Sequence, residues 1–256
     1  MLSVPRASHT MANKGKPFDS ASLTSLVAGL AHEIRNPLST INLNLQLLKE
    51  DWQQAESARE KKTLKKIDVI QAETQRLNEI LDDFLRFVRI DDLELQPHDI
   101  NALVDEIAEF KANELKLKNI EVIRFYDYNL PQCMVDAKFI KQAILNIVLN
   151  AQQAIEKDGQ IMIRTSRDAG LVRIEITDTG SGIPPDVRAK IFIPWFSTKT
   201  SGCGLGLPTT RRIIEAHGGT IQVMSEVNRG TSVVVHLRPG GPERKPEENN
   251  GAPKQQ

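Results

Sequence analysis

His32 stands in the run His32-Glu33-Ile34-Arg35-Asn36-Pro37, and histidine is the side chain whose nucleophilic ring nitrogen is largely free of its proton at neutral pH. Glu33 beside it can accept the other ring proton and strengthen the attacking nitrogen, as a histidine nucleophile requires. Pro37 removes a helical hydrogen bond just after this site, costs about 3 kcal/mol in an ordinary helix interior, and is expected to kink the helix there. Two plainer readings compete. A lone surface histidine is usually solvated and idle. The run also approaches the His-Glu-x-x-His zinc helix, but Asn36 fills the second histidine's place and leaves a metal without its second ligand.

Further along, Asn146 and Asn150 lie four apart on one helical face, flanked by Gln142 and Gln153. Amide oxygens in such a row suit a hydrated magnesium ion, a hard cation that keeps waters and shares phosphate ligands. Taken alone, the row reads more simply as a polar helix face. Asp178-Thr179-Gly180-Ser181-Gly182 follows a strand-like stretch. The first four residues also form the signature of aspartic proteases, in which two such aspartates share a proton. One copy per chain would then demand a small, nearly all-β, homodimeric subunit, whereas long helices flank this motif. Phe192, Phe196 and Lys199 come next, then Gly202, Gly204 and Gly206. Their Gly-x-Gly-x-Gly spacing, with no strand leading in, excludes a dinucleotide loop. What remains is a glycine loop opening a helix, whose free N–H groups suit phosphate, with Lys199 as a point charge. Docking aromatics and hinging glycines would make a lid over a nucleotide.

The elements that position these groups show in the hydrophobic period. Leu23, Leu26, Leu30, Ile34, Leu38, Ile41, Leu45, Leu48 and Trp52 follow a three-four alternation, with Asp19 or Ser20 suited to cap its start. His32 lies about 200° round from Leu30 and is expected off the buried seam, facing water. Gln53 to Glu60 is polar, and the pattern resumes through Leu64, Ile67, Ile70, Leu77, Leu81, Phe84 and Val88. Two helices of about 30 residues, roughly 45 Å each, thus form an antiparallel hairpin over residues 20–91. A hairpin this long cannot cover both apolar stripes, but two copies packed as a four-helix bundle can, so a homodimer is expected. Beyond Asp92 the spacing predicts helices at 101–117, 137–157 and 207–216. It predicts strands at 120–126, 161–166 and 171–177 and a hairpin of 220–227 with 231–237, together an α/β sandwich over residues 92–238. The fold class is α+β. Residues 1–19 and 239–256 are polar and expected to be disordered.

Composition narrows the classes. Lys+Arg and Asp+Glu each number 33, so no bulk field attracts nucleic acid or anionic lipid. The two cysteines, Cys133 and Cys203, match neither a disulfide scaffold nor a zinc spacing. Leu23 to Ala31 falls far short of the roughly 20 apolar residues of a membrane span, and Met1 to Lys16 lacks the apolar region of a signal peptide. A cytoplasmic protein without a membrane span is expected.

Taken together and in this order, the motifs resemble a bacterial sensor histidine kinase of two-component signalling over about residues 20–238. Leu30 to Leu38 is similar to the H-box, Asn146 to Ala151 to the N-box and Asp178 to Gly182 to the G1 box. Phe192 to Lys199 is similar to the F-box and Gly202 to Gly206 to the G2 box. The wording is most similar to the nitrogen-regulation type. The resemblance implies a phosphoacceptor hairpin followed by a sandwich of the Bergerat ATP-binding type, with ATP and Mg²⁺ as cofactors. It implies that Asp178 reads the adenine amino group, that Asn150, helped by Asn146, holds Mg²⁺, and that Gly180, Gly182, Lys199, Gly202, Gly204 and Gly206 complete the ATP site. His32 would take the γ-phosphoryl group with Glu33 as base and pass it to an aspartate on a response regulator receiver domain. Asn36 matches the position that orients water to dephosphorylate the receiver. Two departures stand out: Gln153 occupies a place where many members carry lysine, so that Lys199 would supply the missing charge, and Cys203 replaces a small hydroxyl or similar residue. The input that members usually carry before the acceptor helix is not evident, which points to a separate sensor protein or a truncated core. A phosphatase-dominant enzyme and a non-catalytic dimeric adaptor are the alternatives on the same fold.

Overall fold

The computed structural model describes residues 20–51, 57–88, 90, 93–199 and 203–241. The expected disorder of residues 1–19 and 242–256, the capping by Asp19 and the position of Gly202 lie outside these. The chain divides into two compact units, residues 1–71 and 72–256.

The first unit holds α1 (Ser20–Asp51) and the beginning of α2 (Ala58–Val88). α1 stays helical through Pro37. α2 starts six residues before the apolar pattern suggests, because Ser57 and Glu60 form a reciprocal cap: Glu60 N–H donates to Ser57 Oγ and Ser57 N–H donates to Glu60 Oε2. Leu45 and Ile67 are buried, and Lys49 pairs with Asp68 at 2.6 Å. The expected seam is only partly hidden. Ala31 is buried, but Leu30, Ile34, Ile41 and Leu48 keep 51%, 48%, 44% and 46% of their surface exposed. A helix in a two-helix pair hides one narrow line, and the stripe written by this three-four spacing is wider than that line. The side chain of His32 lies outside the described residues, so its expected direction does too.

The second unit contains the end of α2, then β1 (Gln96–His98), α3 (Ile100–Leu117), β2 (Ile120–Phe125), β3 (Cys133–Val135) and α4 (Ala137–Ala154). β4 (Gly159–Asp168), β5 (Leu171–Asp178), α5 (Pro185–Arg188), α6 (Gly206–Ala216), β6 (Thr220–Glu226) and β7 (Gly230–Leu237) complete it. Five strands form a sheet in the order β2-β4-β5-β7-β6, parallel between β2 and β4 and antiparallel elsewhere. α4 contributes Ile140, Ile144, Ile147 and Val148 and α6 contributes Ile213 and Ile214 to one core with Ile161, Ile163, Ile174 and Ile176 of the sheet. This is the α/β sandwich expected, and with helices of this length the subunit is not the nearly all-β body that an aspartic protease reading of Asp178 requires.

Several boundaries differ from the sequence reading. α4 ends at Ala154, not Lys157, because Ile155 turns into the core and the Ala154 carbonyl accepts the Ser181 N–H. β4 begins at Gly159, which continues the pairing with Ile120. Pro239 to Gly241 extend the fold rather than the tail, since the Pro239 carbonyl accepts the Met134 N–H. Asp99 caps α3 and Asp136 caps α4. His217, 1% exposed, joins the ends of α6 and α4: its Nε2 accepts the Asp136 N–H at 3.0 Å, and its Nδ1 lies 2.7 Å from the Ile213 carbonyl.

Candidate active site

Alternation along β5 explains the central carboxylate. Val172, Ile174 and Ile176 face the helices, and the same two-residue period sends Asp178 to that side at the strand's end. Asp178 is 5% exposed and accepts the Gly180 N–H at 2.8 Å. Burial raises its pKa, against the pull of the Gly180 and Thr231 N–H groups and the charge of Lys199. It lines a cavity of about 620 Å³. Ile183, Val187, Ile191, Val223 and Val233 give that cavity apolar walls, and Asn146, Asn150, Lys199 and Gly204 give it a polar side.

Gly180 packs so closely on the end of α4 that an added Cβ would sit 2.6 Å from the Ala154 carbonyl oxygen, and Gly182 is pressed against the Glu226 carbonyl. Gly204 has φ +73°, and a Cβ there would come within 2.6 Å of the Phe196 carbonyl oxygen, so only glycine fits the turn into α6. Gly206 has no such neighbour and simply opens the helix.

Asn146 and Asn150 make different contacts. Asn146 Nδ2 donates to the Gly206 carbonyl at 3.2 Å and to Thr210 Oγ1 at 3.4 Å, which ties α4 to α6. Asn150 Oδ1 accepts from Lys199 Nζ at 3.2 Å, and Gln153 Oε1 accepts from the same ammonium at 2.6 Å. Enclosure of that ammonium lowers the Lys199 pKa, and Asp178 opposes the shift. These residues suit the groups the sequence implies. A buried acceptor between apolar walls fits an amino-bearing base, and amide oxygens that already hold a cation fit Mg²⁺. Among the described residues no cluster of three or more His, Cys, Asp or Glu competes for a metal.

Sequence reasoning missed the contribution of α2, whose Arg76, Glu79, Ile80 and Asp83 also line the cavity. Cys203 Sγ donates to Asp83 Oδ2 at 3.1 Å, the Phe84 and Trp195 rings stand 5.9 Å apart, and Arg212 Nη1 donates to the Phe87 carbonyl at 2.7 Å. The only hint was the density of aromatics at the end of the α2 pattern. Burial, helped by Asp83, pushes the Cys203 thiol up to about 11, so it is not an activated thiolate. His32, Glu33 and Asn36 belong to the first unit, where Glu33 and Asn36 are exposed and the Asn36 carbonyl accepts the Thr40 hydroxyl at 3.1 Å.

Residues 135–241 match the histidine kinase-, DNA gyrase B- and HSP90-like ATPase family, and residues 22–93 match the His Kinase A (phospho-acceptor) domain. The sensor histidine kinase ZraS of Escherichia coli (strain K12) is 37% identical over 215 residues, which are 84% of this chain and 45% of that protein. The crystal structure of full-length ShkA in complex with AMPPNP superposes with a TM-score of 0.69 at 28% identity, over 85% of this chain and 46% of that one. Histidine kinase ThkA in complex with response regulator protein TrrA gives 0.62 at 28% identity, over 88% and 64%. The chain belongs to the two-component sensor histidine kinases. It spans about half the length of ZraS or of ShkA. No helix among the described residues is long and apolar enough to cross a membrane.

Proposed function

We propose that this chain carries the catalytic core of an ATP-dependent protein-histidine kinase, with residues 20–91 as the dimerisation and phosphoacceptor domain and 92–238 as the ATP-binding domain. The observation that carries the reading is the buried Asp178 carboxylate in an apolar-walled cavity, with Asn150 and Lys199 on its polar side. The carboxylate accepts the adenine amino group. Asn150 would hold Mg²⁺, whose charge would offset that of the phosphates, and Gly202, Gly204 and Lys199 steady the phosphates. A ring nitrogen of His32 attacks the γ-phosphorus, the bond to the β–γ bridging oxygen breaks, and ADP leaves with that electron pair. Glu33 takes the proton shed by the imidazole. The phosphoryl group then passes from nitrogen to an aspartate oxygen on a receiver domain, a partner class supported by the likeness to ThkA, which has been crystallised in complex with the response regulator TrrA.

The half-exposed stripe on α1 supports a homodimer in which a second copy completes a four-helix bundle. The stimulus reaches this core from a separate sensor protein or from further segments of a longer chain, and the core works in the cytoplasm, where ATP and receivers are found. The wording of the boxes favours the nitrogen-regulation type. Asn36, exposed one turn after His32, supports an accompanying phosphatase activity.

Incubation with γ-labelled ATP and Mg²⁺ tests the reading. Acid-labile, base-stable label is expected on the wild type and on neither His32→Gln nor Asp178→Asn, with nucleotide affinity kept in the first variant and lost in the second. Label that persists in His32→Gln sinks the assignment. Phosphorylated receiver should lose its phosphate faster with wild type than with Asn36→Ala.

A further inference from the structure

Two amide oxygens of α4 hold one ammonium from far along the chain. Lys199 Nζ reaches Asn150 Oδ1 and Gln153 Oε1, residues three apart on one helical face, across 49 and 46 positions of sequence. Such a pairing is not a local accident of helix geometry. Asn150 Oδ1 is also the oxygen to which the nucleotide reading assigns the divalent ion. An ammonium and a hard divalent cation want the same thing from an amide carbonyl, its negative end. Two cations at one oxygen repel each other.

We propose that Asn150 and Gln153 form a seat for Lys199 as the site's own cation, so that bound phosphate is compensated without a divalent metal, and the metal enters only by displacing Lys199 from Asn150. This rests on the nucleotide reading of the site. Gln153 is then a positioning residue, because it fixes where the ammonium stands. A lysine in its place would crowd a second positive charge against Lys199, whereas a glutamine supplies an acceptor.

The test titrates the full chain with a fluorescent ATP analogue, first in EDTA and then at rising MgCl₂. It records the metal-free affinity and the magnesium concentration that gives half of the metal's effect. Lys199→Met should weaken metal-free binding by about tenfold or more, while lowering the half-effect magnesium concentration because a competitor has gone. Gln153→Leu keeps the ammonium and should move both quantities in the same directions by roughly threefold. The proposal is overturned if Gln153→Leu matches wild type in both. It is overturned equally if Lys199→Met weakens binding alike with and without magnesium or raises the magnesium requirement. Asp178→Asn distinguishes the nucleotide reading from the cation seat, since it should lose binding equally under both conditions. Wild type that binds no analogue in either condition brings down the nucleotide reading itself, and the seat with it.

Discussion

The second unit closes its own core, whereas the first does not. Ile140, Ile161, Ile163 and Ile213 are at most 1% exposed, but the α1 stripe of Leu30, Ile34, Ile41 and Leu48 stays about half open to water. Apolar burial is the main favourable term in folding, about 25 cal/mol per Å², so the two units differ in what they need. The sandwich can stabilise itself. In the proposed dimer the hairpin would gain its missing burial from a second copy, and its stability would then depend on concentration. The proposed chemistry divides along the same line, with the carboxylate proposed to read the nucleotide, Asp178, in the second unit and the histidine proposed as acceptor, His32, in the first.

The largest expected effect strikes the sandwich alone. Gly230 has φ +99°, and a side chain there would overlap the Asp178 carbonyl, so Gly230→Ala should cost on the order of 3 kcal/mol. Thermal melts should show it together with lost nucleotide affinity, while sedimentation still reports a dimer. Dissociation would mean that the units are not independent. Next, Ile34→Asp combined with Leu48→Asp should weaken dimerisation by about tenfold or more, as read by light scattering across a dilution series. Nucleotide affinity should not change. If that double variant stays dimeric, the open stripe is not the interface.

A pH-dependent effect of intermediate size belongs to His217. Burial lowers its pKa, so it stays neutral in the folded chain while the unfolded chain takes up a proton below about 6.5. The stability it contributes is complete above that pH and should fall as pH drops from 6.5 toward 5. Melting temperatures of wild type should show this slope, and His217→Gln should flatten it while melting lower at pH 8. The smallest effect is in the hairpin: Ser57→Ala removes half of the reciprocal cap and should cost about 1 kcal/mol, visible as lower helicity on dilution.

Much of this was legible in the residue pattern because the physics is local. The period of α1 and α2, the turn at Asn228-Arg229-Gly230 and the motif order all follow from neighbours in sequence. The cap at Ser57 and Glu60 was also local, and an apolar criterion passed over it because the residues that follow are mostly charged. Other features depend on distant partners. β1 and β3 are three residues each and exist only because they pair with one another. α4 stops at Ala154 because Ile155 turns into the core and Ser181 claims the Ala154 carbonyl. The link of Asn146 to α6, the approach of α2 to the cavity and the two oxygens facing Lys199 depend on the folded chain. The pattern picked out Asn146 and Asn150 together but could not tell that one ties α4 to α6 and the other faces Lys199.

Trp195 gives the molecule an optical property of its own. The sequence contains only two tryptophans, and this one, four residues before Lys199, combines a φ of +67° with a tilted ring neighbour in Phe84. Indole emission responds to its immediate surroundings, so a Trp52→Phe chain would carry a single tryptophan, within the segment that borders the cavity. The protein can therefore report events at the Lys199 end of the cavity by its own light, with no attached dye.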